Sequence, residues 1–269
     1  MAKHAFLSAS GADAWLRCKV KPWREKDLPE VTSKYAQEGI EAHSLLEQAI
    51  KTKGFLQSEN IKDHPAVKHI ETTLALLEEI APTDSDKVLP EQRLSISHIT
   101  GEKGANGTAD VVVIGKDEVV IIDLKYGKGV RVHAEDNTQL FIYGAAALKS
   151  YGKDKKTLRM VISQPRLDHV SEWVLTAKEV AEKIKFLKKE GEEILAAEGG
   201  ENLLAVPGTK QCQFCKAKAE CSERASWLED NPVVRRATRQ VEELIFPNLD
   251  DTEYIEAAMG LTLEKEATK

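Results

Sequence analysis

The sequence predicts an α/β fold, a central mixed β-sheet flanked by helices, and three observations lead there. Helical periodicity opens the chain and returns after its centre; strand-like stretches occupy residues 88–96, 111–114 and 119–125, the last two rich in β-branched residues; and a helical stretch separates them from a further strand pair.

Each element follows in order. Ser10-Gly11-Ala12-Asp13 has the spacing of a capping box, so a first helix is expected to lead through Trp15 to Cys18. A second helix is expected over 35–51, where Ala36, Ile40, His43, Leu46 and Ile50 form one stripe and place His43 on the inward face. A third is expected to start at Pro65, with Val67, Ile70, Leu74 and Leu77 on one side. The period then changes: a strand over 88–96, a glycine-rich loop from Gly101 to Gly107, a strand over Val111–Ile114, a turn at 115–118, and an antiparallel return over 119–125. The continuous apolar character of the last two strands suggests cover on both faces. A helix over 136–150 follows, then a hairpin pair at 158–164 and 170–175. Thr176 and Glu179 form a second capping box, which opens a long charged helix to about residue 197. The charge-rich, weakly periodic end reads as a tail or helix, dividing the chain into a domain over 1–228 and an appendage over 229–269.

Composition narrows the function classes. A net charge of −6 argues against simple coating of nucleic acid, which draws on surplus Lys and Arg. It leaves room for clustered carboxylates around divalent cations. No apolar run reaches membrane-spanning length and the first ten residues lack a secretory pattern, so a cytoplasmic protein with reduced or metal-bound cysteines is expected.

Asp110, Asp123 and Lys125 carry the most information. Asp110 precedes one central strand and Asp123-Leu124-Lys125 ends the next, so alternation sends Asp123 and Lys125 to one face, and the turn returns Asp110 beside Asp123. Paired acids there suit Mg²⁺ or Mn²⁺; the plainer alternative has Asp110 and Asp117 as loop residues and Asp123 paired with Lys125 at a strand end. Gln139 and Tyr143 share a helix face directly afterwards and suit phosphate contacts, although such residues taken alone are more often ordinary surface and core. His43 is either a satisfied core histidine or a ligand. Glu91 and Glu47 are auxiliary acids to consider. Tyr126-Gly127-Lys128-Gly129 with Arg131 offers either a grip on a nucleic-acid strand or a solvated loop.

Taken together, His43, Gly107-Thr108-Ala109-Asp110, Asp123-Leu124-Lys125 and Gln139-Leu140-Phe141-Ile142-Tyr143 resemble, in order and spacing, the PD-(D/E)XK nuclease superfamily in its RecB-like exonuclease branch, over about residues 5 to 225. The resemblance implies that His43, Asp110, Asp123 and the Leu124 carbonyl bind the metal, that Lys125 is catalytic, and that Gln139 and Tyr143 support it. Many relatives carry Glu where this chain has Asp123, a shorter reach.

Cys18 stands alone, while Cys212, Cys215 and Cys221 cluster near the end. Zinc suits thiolate tetrads, although zinc ribbons usually offer two CxxC knuckles; iron-sulfur clusters accept such irregular spacing. The arrangement resembles the iron-sulfur staple of the AddB nuclease and of CRISPR-associated exonucleases, which implies a structural 4Fe-4S cluster tying the two ends together. Trp15, Trp23, Phe214 and Trp227 are expected to shield it. The expectation is therefore a Mg²⁺- or Mn²⁺-dependent DNA exonuclease of recombination, repair or phage replication, with DNA and a recombinase or single-strand-binding protein as partners. The rivals are an inactive DNA-end-binding module with a structural cluster and a zinc-stabilised scaffold.

Overall fold

The computed structural model describes residues 5–29, 34–83, 85–152 and 154–245. In chain order the elements are α1 (Ala12–Arg17), α2 (Lys21–Glu25), α3 (Lys34–Lys51), α4 (Val67–Ile80), β1 (Lys87–Ser95), α5 (Ser97–Thr100), β2 (Asn106–Ile114) and β3 (Glu118–Leu124). They continue with α6 (Thr138–Tyr151), β4 (Thr157–Gln164), β5 (His169–Thr176), α7 (Ala177–Ala196), α8 (Thr209–Gln213), α9 (Ser222–Asp230) and α10 (Pro232–Ile245). The described residues divide into two compact units, one of 5–10 and 34–192, the other of 11–29 and 193–245. The end of the tail expected over 229–269 lies outside the described residues; its start is helical in α9 and α10. No described helix is long and apolar enough to cross a membrane.

The larger unit is built on a five-stranded sheet in the order β1-β2-β3-β4-β5. Its β3–β4 pair is parallel and the other pairs are antiparallel, so the sheet is mixed, with α6 in the parallel crossover. Val111, Val112 and Val113 and every residue from Val119 to Leu124 are buried, as continuous apolar runs covered on both faces require. Val111, Val113, Val120, Ile122, Leu124 and Val161 form one core with Ala42, Leu46, Ile70 and Leu77 of α3 and α4. The buried side chains of α6, Leu140 to Ala147, are the other large apolar element, and Gly144 lets α6 close on Leu158 of β4.

Several local expectations change. Asp110 lies within β2, because β1 pairs with that strand along its length and extends it back to Asn106. Helix α4 starts at Val67, beyond Pro65, after a turn closed by His64. The capping box at Ser10 does not form: Gly11 is the cap residue, no side chain caps α1, and Asp13 pairs with Arg17 at 3.0 Å instead. The box at Thr176 does form, with Thr176 donating from its backbone N–H to Glu179 at 2.8 Å and Glu179 donating back to the hydroxyl at 3.4 Å. The stripe on α3 is rotated: Ala42, Leu45 and Leu46 enter the core, while Ile40 is 57% exposed. The face carrying Ala36, Ile40, His43 and Glu47 lines an open cleft.

Candidate metal centre and cysteine site

Strand register builds the candidate centre. Pro90 pairs with Val111 and Gln92 with Ala109, so Glu91 stands opposite Asp110; Val111 pairs with Ile122, so Asp110 stands opposite Asp123. Three acids therefore form a row across β1, β2 and β3. Directly opposed like charges destabilise a sheet, and here they are also partly or wholly buried, which marks the row as costly unless something positive joins it.

Glu91 interrupts its own strand to take part. Its φ is +45°, a left-handed conformation that a non-glycine residue adopts only under constraint. His43 comes to the same point from α3, its Nδ1 3.2 Å from Asp110 Oδ2. Ligand atoms of His43, Glu91 and Asp110 all lie within 4.8 Å of one another. They open onto a cleft of about 490 Å³ lined also by Gly39, Ile40 and Glu47. Asp110 Oδ2 further accepts from the Leu124 backbone N–H at 2.8 Å, which fixes the carboxylate against β3.

Asp123 is 3% exposed, and its Oδ2 lies 2.8 Å from the Lys125 ammonium. That contact is ionic only, for the buried oxygen makes no hydrogen bond of good geometry. Lys125 also donates to Gln139 Oε1 at 3.2 Å, and Gln139 Nε2 reaches Asp123 Oδ1 at 3.5 Å. Tyr143 stands beside Gln139, one turn along α6. Its ring passes so close to Gly107 that a Cβ there would lie 2.6 Å from Cε1, so the glycine is a condition of the tyrosine's position.

The charges respond as their neighbours dictate. Burial, reinforced by Asp110, pushes Glu91 up to about 7. Burial and Asp110 also raise Asp123 against the lowering effect of Lys125. Burial would lower His43 and Lys125, but Asp110 acting on His43 and Asp123 acting on Lys125 outweigh it, and both are raised. Tyr143 is raised by burial and by the three acids, which keeps it a neutral phenol. Because the folded chain holds the Glu91 proton more tightly than an ordinary Glu at 4.5, its contribution to stability is present at low pH and lost as pH rises from about 4.5 through about 7. Glu91→Gln in chelator-treated protein is thus expected to melt higher than the parent near pH 8, by on the order of 1 kcal/mol once solvent screening of a half-buried group is allowed for, and alike near pH 4. Melting curves that run parallel at both pH values would disprove the coupling.

The structure thus brings His43, Asp110, Asp123, Lys125, Gln139 and Tyr143 together, and adds Glu91 in the row and Glu47 on the cleft wall. Glu91 had only its charge to advertise it; its position depends on a strand register set across the glycine-rich loop. Leu124 shows its N–H, bonded to Asp110.

The four cysteines all lie in the smaller unit and, with Lys21, Arg24 and Arg224, line one small cavity. Backbone N–H groups of Val206 and Gly208 donate to the sulfurs of Cys18 and Cys212 at 3.5 and 3.4 Å. Arg24 donates to the Cys221 sulfur at 3.0 Å and, through both terminal nitrogens, to Glu223 at 2.9 and 2.8 Å. Burial, with a contribution from Glu25, pushes the Cys215 thiol up to about 12. Of the aromatic shield, Trp15 is buried and Trp23 donates to the Ile194 carbonyl at 2.9 Å. Phe214 does not shield: it is 74% exposed, its position on the short turn between two cysteines leaving it no core to enter.

Two solved structures are similar at low identity. A proposed exonuclease from Eubacterium rectale matches at 13% identity and a TM-score of 0.45, over 80% of this chain and 87% of that one. The protein SSO0001 matches at 14% identity and a TM-score of 0.33, over 79% of this chain and 96% of that one. At these scores neither likeness bears on what the chain does. A protein-family model described as protein of unknown function DUF2800 matches residues 4–257, nearly the full length, and the chain belongs to that family.

Proposed function

We propose that the chain is a Mg²⁺- or Mn²⁺-dependent DNA exonuclease of the RecB-like PD-(D/E)XK type. The observation that carries this reading is the row of Glu91, Asp110 and Asp123 with His43 at one end and Lys125 at the other. Clustered acids with raised proton affinity and a buried carboxylate oxygen lacking a hydrogen bond fit a divalent cation, which removes the repulsion that protonation otherwise relieves. His43, Asp110, Asp123 and the Leu124 carbonyl would hold it, with Glu91 beside them. When bound, such an ion supplies Lewis acidity toward a phosphodiester.

The chain's own groups divide the remaining work. Lys125, kept charged by Asp123, faces the charge that develops on the phosphate during attack by water. Gln139 fixes both Lys125 and Asp123, so the cation and the acid keep one geometry. Tyr143, kept a neutral phenol by burial and the acids, stands one turn along α6 from Gln139 and borders that network. The cleft along α3 leaves His43, Glu91 and Asp110 open to a substrate strand.

In the same reading the four cysteines hold a structural 4Fe-4S cluster. Half-buried sulfurs that accept N–H bonds, one of them from Arg24, suit a thiolate-held metal group. Zinc, which also suits four thiolates, is the alternative occupant of the same cavity.

The deciding experiment compares end-labelled linear DNA with covalently closed circular DNA in Mg²⁺ or Mn²⁺. Release of labelled nucleotides from linear DNA, intact circles, and loss of cleavage on adding chelator are expected. Binding of ends without any cleavage would replace the enzyme with an inactive end-binding module.

A further inference from the structure

We propose that Gln164 is a positioning residue: it fixes loop 127–132 as the strand-gripping element of the site, presenting Lys128 and Arg131 to the phosphates of a DNA strand. The inference rests on the nuclease reading and deepens it. Gln164 ends β4 and is 1% exposed. Its Nε2 donates to the carbonyls of Gly127 and Val130, both at 2.9 Å, and its Oε1 accepts from the Val132 N–H at 3.0 Å. One buried amide thereby closes three bonds on a loop that begins two residues after Lys125.

The loop's other bonds also come from beyond its ends. His169 Nε2 lies 2.9 Å from the Val132 carbonyl, and Arg166, paired with Glu38 at 3.0 Å, stacks 4.7 Å from the Tyr126 ring centre. The backbone is therefore held at residues 127, 130 and 132 while the side chains are not: residues 127–131 are exposed, Val130 at 78%. Among the described residues neither Lys128 nor Arg131 forms an ion pair. A segment with glycines at 127 and 129 would sample many conformations if left alone. Holding it costs a buried amide and yields no core, so its stiffness makes sense for a partner that meets the tip. Two cations without an ion pair, on the segment that follows Lys125, fit a phosphate backbone, and rigid presentation spares the ordering cost when a strand arrives. Because Lys125 and the loop are one segment, the held loop also fixes where a phosphate comes to rest relative to the lysine.

The test uses the full chain and a fluorescein-labelled single-stranded DNA oligonucleotide. Binding is followed by anisotropy in Ca²⁺ as salt is raised, and cleavage kinetics in Mn²⁺. Lys128→Ala/Arg131→Ala should lower the slope of log K against log salt by about 1.4, the counterions of two single-strand phosphates, and raise KM about tenfold with kcat within about twofold. Gln164→Met, which keeps the buried volume and removes the three bonds, should raise KM about tenfold at an unchanged salt slope, since the two cations remain but are no longer held in place. If Gln164→Met fails to fold, the double variant decides. A parental KM and salt slope in that double variant overturns the inference and, if the parent cleaves, leaves the nuclease reading standing. Loss of slope in a parent that binds without cleaving sustains the gripping loop and removes the nuclease. A parent that neither binds nor cleaves removes both.

Discussion

Asp123→Asn and Lys125→Met are each expected to lower the rate of DNA cleavage by about 10³-fold while leaving the fold in place. The two variants fail for different reasons. Asp123 is the buried acid that would complete the cation site and that keeps Lys125 charged; an amide there keeps shape but removes both effects. Lys125→Met keeps the aliphatic stem and removes the charge opposite the developing negative phosphate. Burial and Asp110 raise the proton affinity of Asp123, so its ionised form opposes folding at neutral pH in the absence of metal. Chelator-treated Asp123→Asn should therefore melt at or above the parent even as it loses activity, the signature of a residue kept for chemistry at the expense of stability. Alanine would be a poorer choice, because it leaves the half-buried Lys125 ammonium with only the neutral Gln139 as partner. Parental cleavage rates in both variants would remove the proposed site; a much lower melting temperature in both would instead make the Asp123–Lys125 pair a structural ion pair.

Cys215→Ser is expected to cost the smaller unit its order. The thiol is pushed up to about 12 by burial, so without a metal group it remains a neutral side chain that does little to hold α8. With the cluster, ligand binding and folding of residues 11–29 and 193–245 are one process, and losing it should cost about 5 kcal/mol or more. The variant should be colourless after anaerobic preparation, contain little iron or labile sulfide, and be cut rapidly by protease within those residues. The five-stranded sheet, which draws on none of them, should stay protected. Full iron content and an unchanged protease pattern would exclude a cluster at these cysteines, and zinc in place of iron would identify the metal group as a single ion.

Arg24 adds a separate handle on that site. It spans the Cys221 sulfur and Glu223, which holds the guanidinium well above its usual range and Glu223 down at about 2. Such a donor would also bond a metal-held sulfur at Cys221.

The sequence by itself determined the α/β class, the central apolar strands, and the convergence of Asp110 and Asp123. Those follow from rules acting over a few residues: a period of two, a short turn between β-branched runs, and a helix face four residues long for Gln139 and Tyr143. The four-cysteine set was legible for the same reason, as three of the four lie within ten residues.

Only the tertiary structure decided what depends on distant registers. The α3 stripe was placed half a face away, because an apolar pattern cannot distinguish a core from the wall of a cleft, and His43 sits at that border. Glu91 joined the acids because β1 pairs with β2 across the glycine-rich loop and because one backbone angle of +45° turns it there. Gln164 reached the loop after Lys125 through the parallel β3–β4 pairing, which joins residues some forty apart in sequence. Local chemistry is written in neighbouring letters, but which side chains meet is settled by the packing that buries the most apolar surface, and that minimum belongs to the chain as a whole.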